Sequence, residues 1–141
     1  MTSYYVDTCI YLNLWKKEVD ESGNKLWESA KNFFEKAENE EAIIYYSGFL
    51  LKELIFLLTT EEYLQKKELF DSSLNFKKTI LSKEEYELAK SISKANKQLS
   101  FYDVIHILLA KKTNSILVTR DRILIQLSKD YSVEARKPED L

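Results

Sequence analysis

A chain of 141 residues that is 45% hydrophobic suits one compact domain around one core, spanning residues 1–141. Charged residues make up 31% of it, yet the formal net charge is only −2. That balance excludes a surface that grips nucleic acid along its whole length and confines any such contact to a local patch. A single cysteine, Cys9, excludes an internal disulfide framework, and two glycines with one proline exclude glycine-rich phosphate loops and long flexible linkers.

The first ten residues carry no basic stretch ahead of an apolar core, so no export signal is expected. They lead directly into the strand-like run Ser3-Tyr4-Tyr5-Val6. After a polar insert at 16–24, Leu26, Ala30, Phe33, Phe34 and Ala37 recur every three or four residues. This spacing predicts one apolar stripe on a helix over 24–38, with Trp27 at its flank. A second strand is expected at 42–46, followed by a helix over 49–58 that Ser47 can cap and that carries Glu53. This longest apolar stretch is interrupted by Lys52 and Glu53 and falls short of the roughly 20 residues that span a bilayer, so a soluble, cytoplasmic protein is expected. A third strand is expected at 75–81. Ser82 and Glu85 then form the pattern of a capping box opening a helix that runs to about residue 97. A helix over 101–112 contains Asp103 and His106. Strand 115–119 leads into Asp121 and a helix over 122–129, and a last strand is expected at 131–134. The charged stretches 38–41 and 136–141 read as solvated surface. Strand runs alternating with helices imply a parallel sheet.

Asp7, Glu53, Asp103 and Asp121 all fall where a strand ends or within the first two turns of a helix. In a parallel α/β sheet those positions share the carboxyl edge of the strands, where ligands bind. Ionised carboxylates among apolar segments need a counter-charge. With His106 and Cys9 the only residues of their kinds, the all-oxygen set favours Mg²⁺ or Mn²⁺ over zinc. Each acid also has a simpler reading. Asp7 and Asp121 are natural helix caps, Asp103 is a first-turn acid favoured by the helix dipole, and Glu53 suits an exposed helix face. His106 reads as a packed histidine without a chemical duty or as a donor to the site, Ser47 as a cap or a partner of a site carboxylate, and the tyrosines and Trp15 and Trp27 as core or interface.

The segments YYVDTCIYLNLW, SGFLLKEL, SFYDVIHILLAKK and ILVTRDRIL, in this order and spacing over nearly the whole chain, resemble the PIN-domain family, and the Pro-Glu-Asp-Leu ending is similar to its small VapC-type toxins. The resemblance implies a three-layer α/β/α sandwich around a mainly parallel sheet of about five strands. It also implies a metal-dependent endoribonuclease using Mg²⁺ or Mn²⁺, acting as the toxin of a toxin–antitoxin pair and forming a homodimer. By it, Asp7, Glu53, Asp103 and Asp121 are the acidic quartet and Thr119 the accompanying hydroxyl. Arg120, Arg122, Lys52 and Lys112 are expected to contact substrate phosphates. The alternative within the resemblance is a catalytically silent module that binds RNA or protein. A phosphoryl-transfer domain of the haloacid-dehalogenase or receiver kind is disfavoured, because Thr8-Cys9 rather than a second acid two residues on follows Asp7.

Overall fold

The structure, a computed structural model, describes residues 2–141; Met1, where the amino-terminal stretch read above begins, lies outside the described residues. Its strands are β1 (Ser3–Val6), β2 (Ile43–Tyr46), β3 (Phe76–Lys78), β4 (Ile116–Val118) and β5 (Ala135–Arg136). The helices are α1 (Thr8–Trp15), α2 (Leu26–Asn39), α3 (Gly48–Leu57), α4 (Thr60–Ser72), α5 (Lys83–Ala95), α6 (Phe101–Lys112) and α7 (Arg122–Ser128). The sheet order is β3-β2-β1-β4-β5, and all four neighbouring pairs are parallel. A sheet that is wholly parallel must be covered on both faces.

Side-chain alternation along the central strand divides the core accordingly. Tyr4 and Val6 of β1 join Ile44, Tyr46 and Val118 on the face that packs against Ile10 and Tyr11 of α1, Ala30 and Phe33 of α2, and Phe70 of α4. Tyr5 and Leu117 lie on the opposite face with Ala89 of α5, Ile105 and Leu109 of α6, and Leu124 of α7. The expected stripe on α2 is present, with Ala30, Phe33 and Ala37 buried. Among the described residues, no helix is long and apolar enough to cross a membrane.

Three local expectations change. The last strand is Ala135–Arg136 rather than 131–134, because Lys129–Tyr131 forms a 3-10 turn and Ser132 is left-handed with φ of 60°. The chain reverses there before it can extend. The third strand is confined to Phe76–Lys78, and α5 ends at Ala95 because Asn96 turns to φ −126° and ψ 99°. The insert at 16–24 is ordered: the Asp20 carboxylate accepts from the backbone N–H of Ser22 (2.9 Å) and of Asn24 (2.8 Å), with Gly23 supplying a φ of +85° between them.

Phe70 is the hub of the aromatic cluster, with ring centroids 4.9 Å from Tyr46, 5.2 Å from Phe76 and 5.3 Å from Tyr11. Phe70→Ala is expected to cost about 3–5 kcal/mol of unfolding free energy in urea titrations, whereas a loss below about 1 kcal/mol would show that this cluster is not the core's keystone.

Candidate functional site

β1 and β4 are neighbours at the centre of the parallel sheet, so Asp7 and Thr119, which follow them, emerge side by side at the carboxyl edge. Asp121 caps α7 at that edge. α6 runs back from it into β4, which puts Asp103, the third residue of α6, at the same level. Glu53 lies in the second turn of α3, the helix that leaves the edge after β2.

Asp7 occupies the N-cap position of α1, yet its side chain makes no capping hydrogen bond. Its Oδ2 instead accepts from the Thr119 hydroxyl at 2.8 Å and from the Cys9 thiol at 3.4 Å, and its Oδ1 accepts from the Thr8 hydroxyl at 3.2 Å. The capping reading therefore fails for this acid. Burial, followed by the Asp7 charge, pushes the Cys9 thiol far above its ordinary range, so it stays protonated as a donor. Fully buried Thr119 also accepts the Asp121 backbone N–H at 3.1 Å, which ties the last acid to the first through one hydroxyl.

Asp121 does cap α7: its Oδ1 accepts from the N–H of Ile123 (3.0 Å) and of Leu124 (3.2 Å). Asp103 closes a capping box with Ser100, accepting the Ser100 N–H on Oδ2 at 3.2 Å. Sequence reading missed that box, although Ser100 stands three residues before Asp103, the spacing used for Ser82 and Glu85. Neither cap uses both oxygens. Burial raises the Asp103 carboxyl above the ordinary carboxylate range, the Ser100 hydrogen bonds pull it down, and the charges of Asp7 and Asp121 push it further up. Asp7 and Asp121 therefore act on Asp103 as like charges.

Glu53 is not the exposed-face acid of the simpler reading. Its Oε1 lies 2.6 Å from Nε2 of His106, a side chain only 1% exposed. His106 Nδ1 lies 2.8 Å from the Tyr5 hydroxyl, which lies 2.7 Å from the Ser47 hydroxyl, and Ser47 in turn accepts the Leu50 N–H at 3.1 Å and caps α3. One proton arrangement satisfies every member: Ser47 donates to Tyr5, Tyr5 to Nδ1, and Nε2–H to Glu53. Burial drives the Tyr5 phenol far above its usual range, so it remains a donor. For His106, burial pulls the pKa down, but the Glu53 hydrogen bond and the negative charges of Asp7, Glu53 and Asp103 together raise it above 6.5. His106 is thus a packed histidine bonded to Glu53, and Tyr5, which reading by type placed only in the core, bonds the histidine's other ring nitrogen.

The cationic residues divide. Lys52 and Arg122 are exposed near the acids. Arg120 turns away: its Nε donates to Asn13 Oδ1 at 2.6 Å and its Nη1 to Glu139 at 2.9 Å, so it clamps the carboxyl-terminal tail to α1 instead of facing the crevice. Lys112 sits in the last turn of α6, about 13 Å along the helix from Asp103, and donates to Glu85 (2.8 Å) and to the Ile80 carbonyl (2.6 Å). Both side chains are engaged by other parts of the chain.

Among the described residues, no Lys or Arg pairs with any of the four acids, and one oxygen each of Glu53, Asp103 and Asp121 has no hydrogen-bond partner. The donor set therefore has the chemistry of a hard divalent cation site. The side chains are nevertheless not drawn together: among the described residues, no three His, Cys, Asp or Glu side chains are grouped closely enough to hold an ion.

Comparison with known sequences and structures fits this arrangement. The sequence profile of the PIN domain matches residues 4–130. The chain belongs to the PIN-domain family. The PIN fold recurs in FitAcB from Neisseria gonorrhoeae, at 15% identity and a TM-score of 0.62 over 98% of this chain and 99% of that one. VapBC2 from Rickettsia felis, solved bound to a DNA fragment from its promoter, is 18% identical with a TM-score of 0.66 over 96% and 98%. A domain of a functionally unknown protein from Methanocaldococcus jannaschii is 22% identical with a TM-score of 0.58 over 97% and 91%. At these identities the likeness establishes the fold, and no curated protein matches the chain. PIN domains are generally nucleases and typically use a divalent metal.

Because folding raises the pKa of His106, the folded state favours its protonated form. That stabilisation is fully present below the ordinary value of 6.5 and is lost as pH rises through the higher folded value. In EDTA, the urea midpoint of the wild type should fall relative to that of His106→Gln, which keeps a donor toward Glu53 but does not titrate, as pH rises from about 6 to about 8. Parallel profiles for the two proteins would sink this assignment.

Proposed function

We propose that the protein is a metal-dependent endoribonuclease that hydrolyses RNA phosphodiester bonds, and that it serves in the cytoplasm as the toxin of a toxin–antitoxin pair. The observation that carries the reading is Asp7. At the end of the central strand this acid forgoes its helix cap, is held by Thr119, and acts with Asp121 as a like charge on Asp103, with no Lys or Arg paired to any of the three among the described residues. The toxin–antitoxin setting is supported by likeness in fold to a VapBC pair.

Asp103 and Asp121 would hold Mg²⁺ or Mn²⁺ through their free oxygens, and Asp7 through the remaining lone pair of Oδ1, which accepts only from the Thr8 hydroxyl. The ion, when bound, lowers the pKa of a water and offsets charge on the attacked phosphate. Thr119 fixes Asp7 in one rotamer by donating to Oδ2, so this ligand needs no reordering. His106 occupies Oε1 of Glu53 and leaves Oε2 to accept a proton from the attacking water. Lys52 and Arg122, exposed beside the edge, are placed to contact the phosphates of an RNA strand without reading its bases.

The separation of the acids favours a second reading, a catalytically silent PIN module that binds RNA or protein. Cleavage of a mixed structured-RNA pool with Mn²⁺ separates the two. The nuclease reading expects cleavage that EDTA abolishes and that Asp7→Asn or Asp103→Asn lowers at least about 100-fold. Inactivity of wild type and variants alike, with no rise in Tm on adding Mn²⁺, would establish the silent module.

The partners in this reading are an antitoxin and a second copy of the chain. Phe56 is 78% exposed and Leu64 61% exposed, and with Ile55 and Leu57 they form apolar surface on α3 and α4 that suits such a contact. Light scattering at micromolar concentration should report a dimer that Phe56→Ser converts to monomer; a monomeric wild type would remove the homodimer.

A further inference from the structure

An open groove of about 500 Å³ runs between α7 and the edge strand β5. One wall is a single face of α7, formed by Arg122, Ile125 and Gln126, and continued by Lys129, the residue that caps its carboxyl end. Arg136 and Lys137 line the other wall, and Asp140 is the only carboxylate on the lining. Among the described residues, Arg122, Lys129 and Lys137 form no ion pair, while Arg136 is engaged by Glu134 at 2.6 Å. Ile125 and Ala135 add apolar surface between these cations.

The groove has a direction. Arg122 directly follows Asp121, and Arg136 closes β5, with Lys137 after it, at the same carboxyl edge where Asp7 emerges, so one mouth opens beside the acids. From there Lys129, just past the end of α7, lies about 10 Å along the helix axis, which is room for about three phosphates of a stacked strand. Cations along an axis with apolar surface between them match the alternation of phosphate and base. A flat membrane surface does not enter a cleft between a helix and a strand.

We infer that this groove is the track for a single-stranded stretch of RNA, which it leads to the acidic edge. Arg122, Lys129 and Lys137 hold phosphates, and bases rest against Ile125 and Ala135. Delivery to the acids rests on the nuclease reading; binding in the groove does not.

The test is fluorescence anisotropy of a labelled single-stranded RNA of about 12 nucleotides, in EDTA so that no cleavage occurs. Wild type is compared with Lys129→Ala/Lys137→Ala and with Lys67→Ala/Lys94→Ala, which removes the same charge from exposed sites on α4 and α5. The groove variant should bind about 10-fold more weakly or worse, with a log K against log salt slope shallower by about 1.4, at ~0.7 for each phosphate no longer neutralised. The control should match wild type. Equal effects in the two variants would reduce the groove to net charge and overturn the inference. So would a wild type that binds an oligoglutamate peptide but no RNA, or neither. Groove-dependent RNA binding without cleavage in Mn²⁺ would keep the track and remove the nuclease; cleavage with groove-independent binding would do the reverse.

Discussion

Parallel pairing of β1 with β2 on one side and β4 on the other is the constraint from which the rest of this molecule follows. A parallel ladder aligns the carboxyl ends of its strands and sends every connection back across a face. Asp7 and Thr119 therefore emerge together, and the helices that begin at that edge bring Glu53, Asp103 and Asp121 with them. The two apolar faces of β1, Tyr4 with Val6 and Tyr5 alone, fix the strand in its register, since a slip of one residue would turn each to the wrong layer.

The edge so built is electrostatically costly. Burial raises the Asp103 carboxyl above its ordinary range, and the charges of Asp7 and Asp121 add to that cost. The fold tolerates it because each acid also has a local structural task. Thr119 and Thr8 hold Asp7, Ser100 boxes Asp103, and Asp121 caps α7. Capping and ligand binding are compatible here because a carboxylate has two oxygens. The caps fix one oxygen of Asp103 and of Asp121 and leave the other free, so local structure orients the groups that the chemistry needs.

Glu53 is managed differently. It is set in an apolar helix, and its partner is a buried histidine on another helix, itself held by a tyrosine of the central strand and by the serine that caps Glu53's own helix. Four residues from β1, the α3 cap, α3 and α6 are joined in one buried polar chain. Such a chain is stable only if every member is satisfied, which makes it a rigid support rather than an adjustable one. The removal of Arg120 to the tail clamp and of Lys112 to Glu85 leaves the crevice negative, and cations gather instead along the neighbouring groove beside α7.

Whatever depends on near neighbours is legible in the amino-acid order alone. The succession of strands and helices, the α2 stripe, the Ser82–Glu85 box and the positions of the four acids can be read there because hydrogen bonds and side-chain periodicity act over three or four residues. Even the boundary errors have local causes, such as the left-handed Ser132 that delays β5. Tertiary packing decided which distant groups meet. Tyr5 reaches His106 across 101 positions and His106 reaches Glu53 across 53, while Arg120 chooses Asn13 over the crevice beside it. Residue type states what a side chain can bond to, but burial selects the partner, because a polar group removed from water must take whichever complementary group the packing brings within reach.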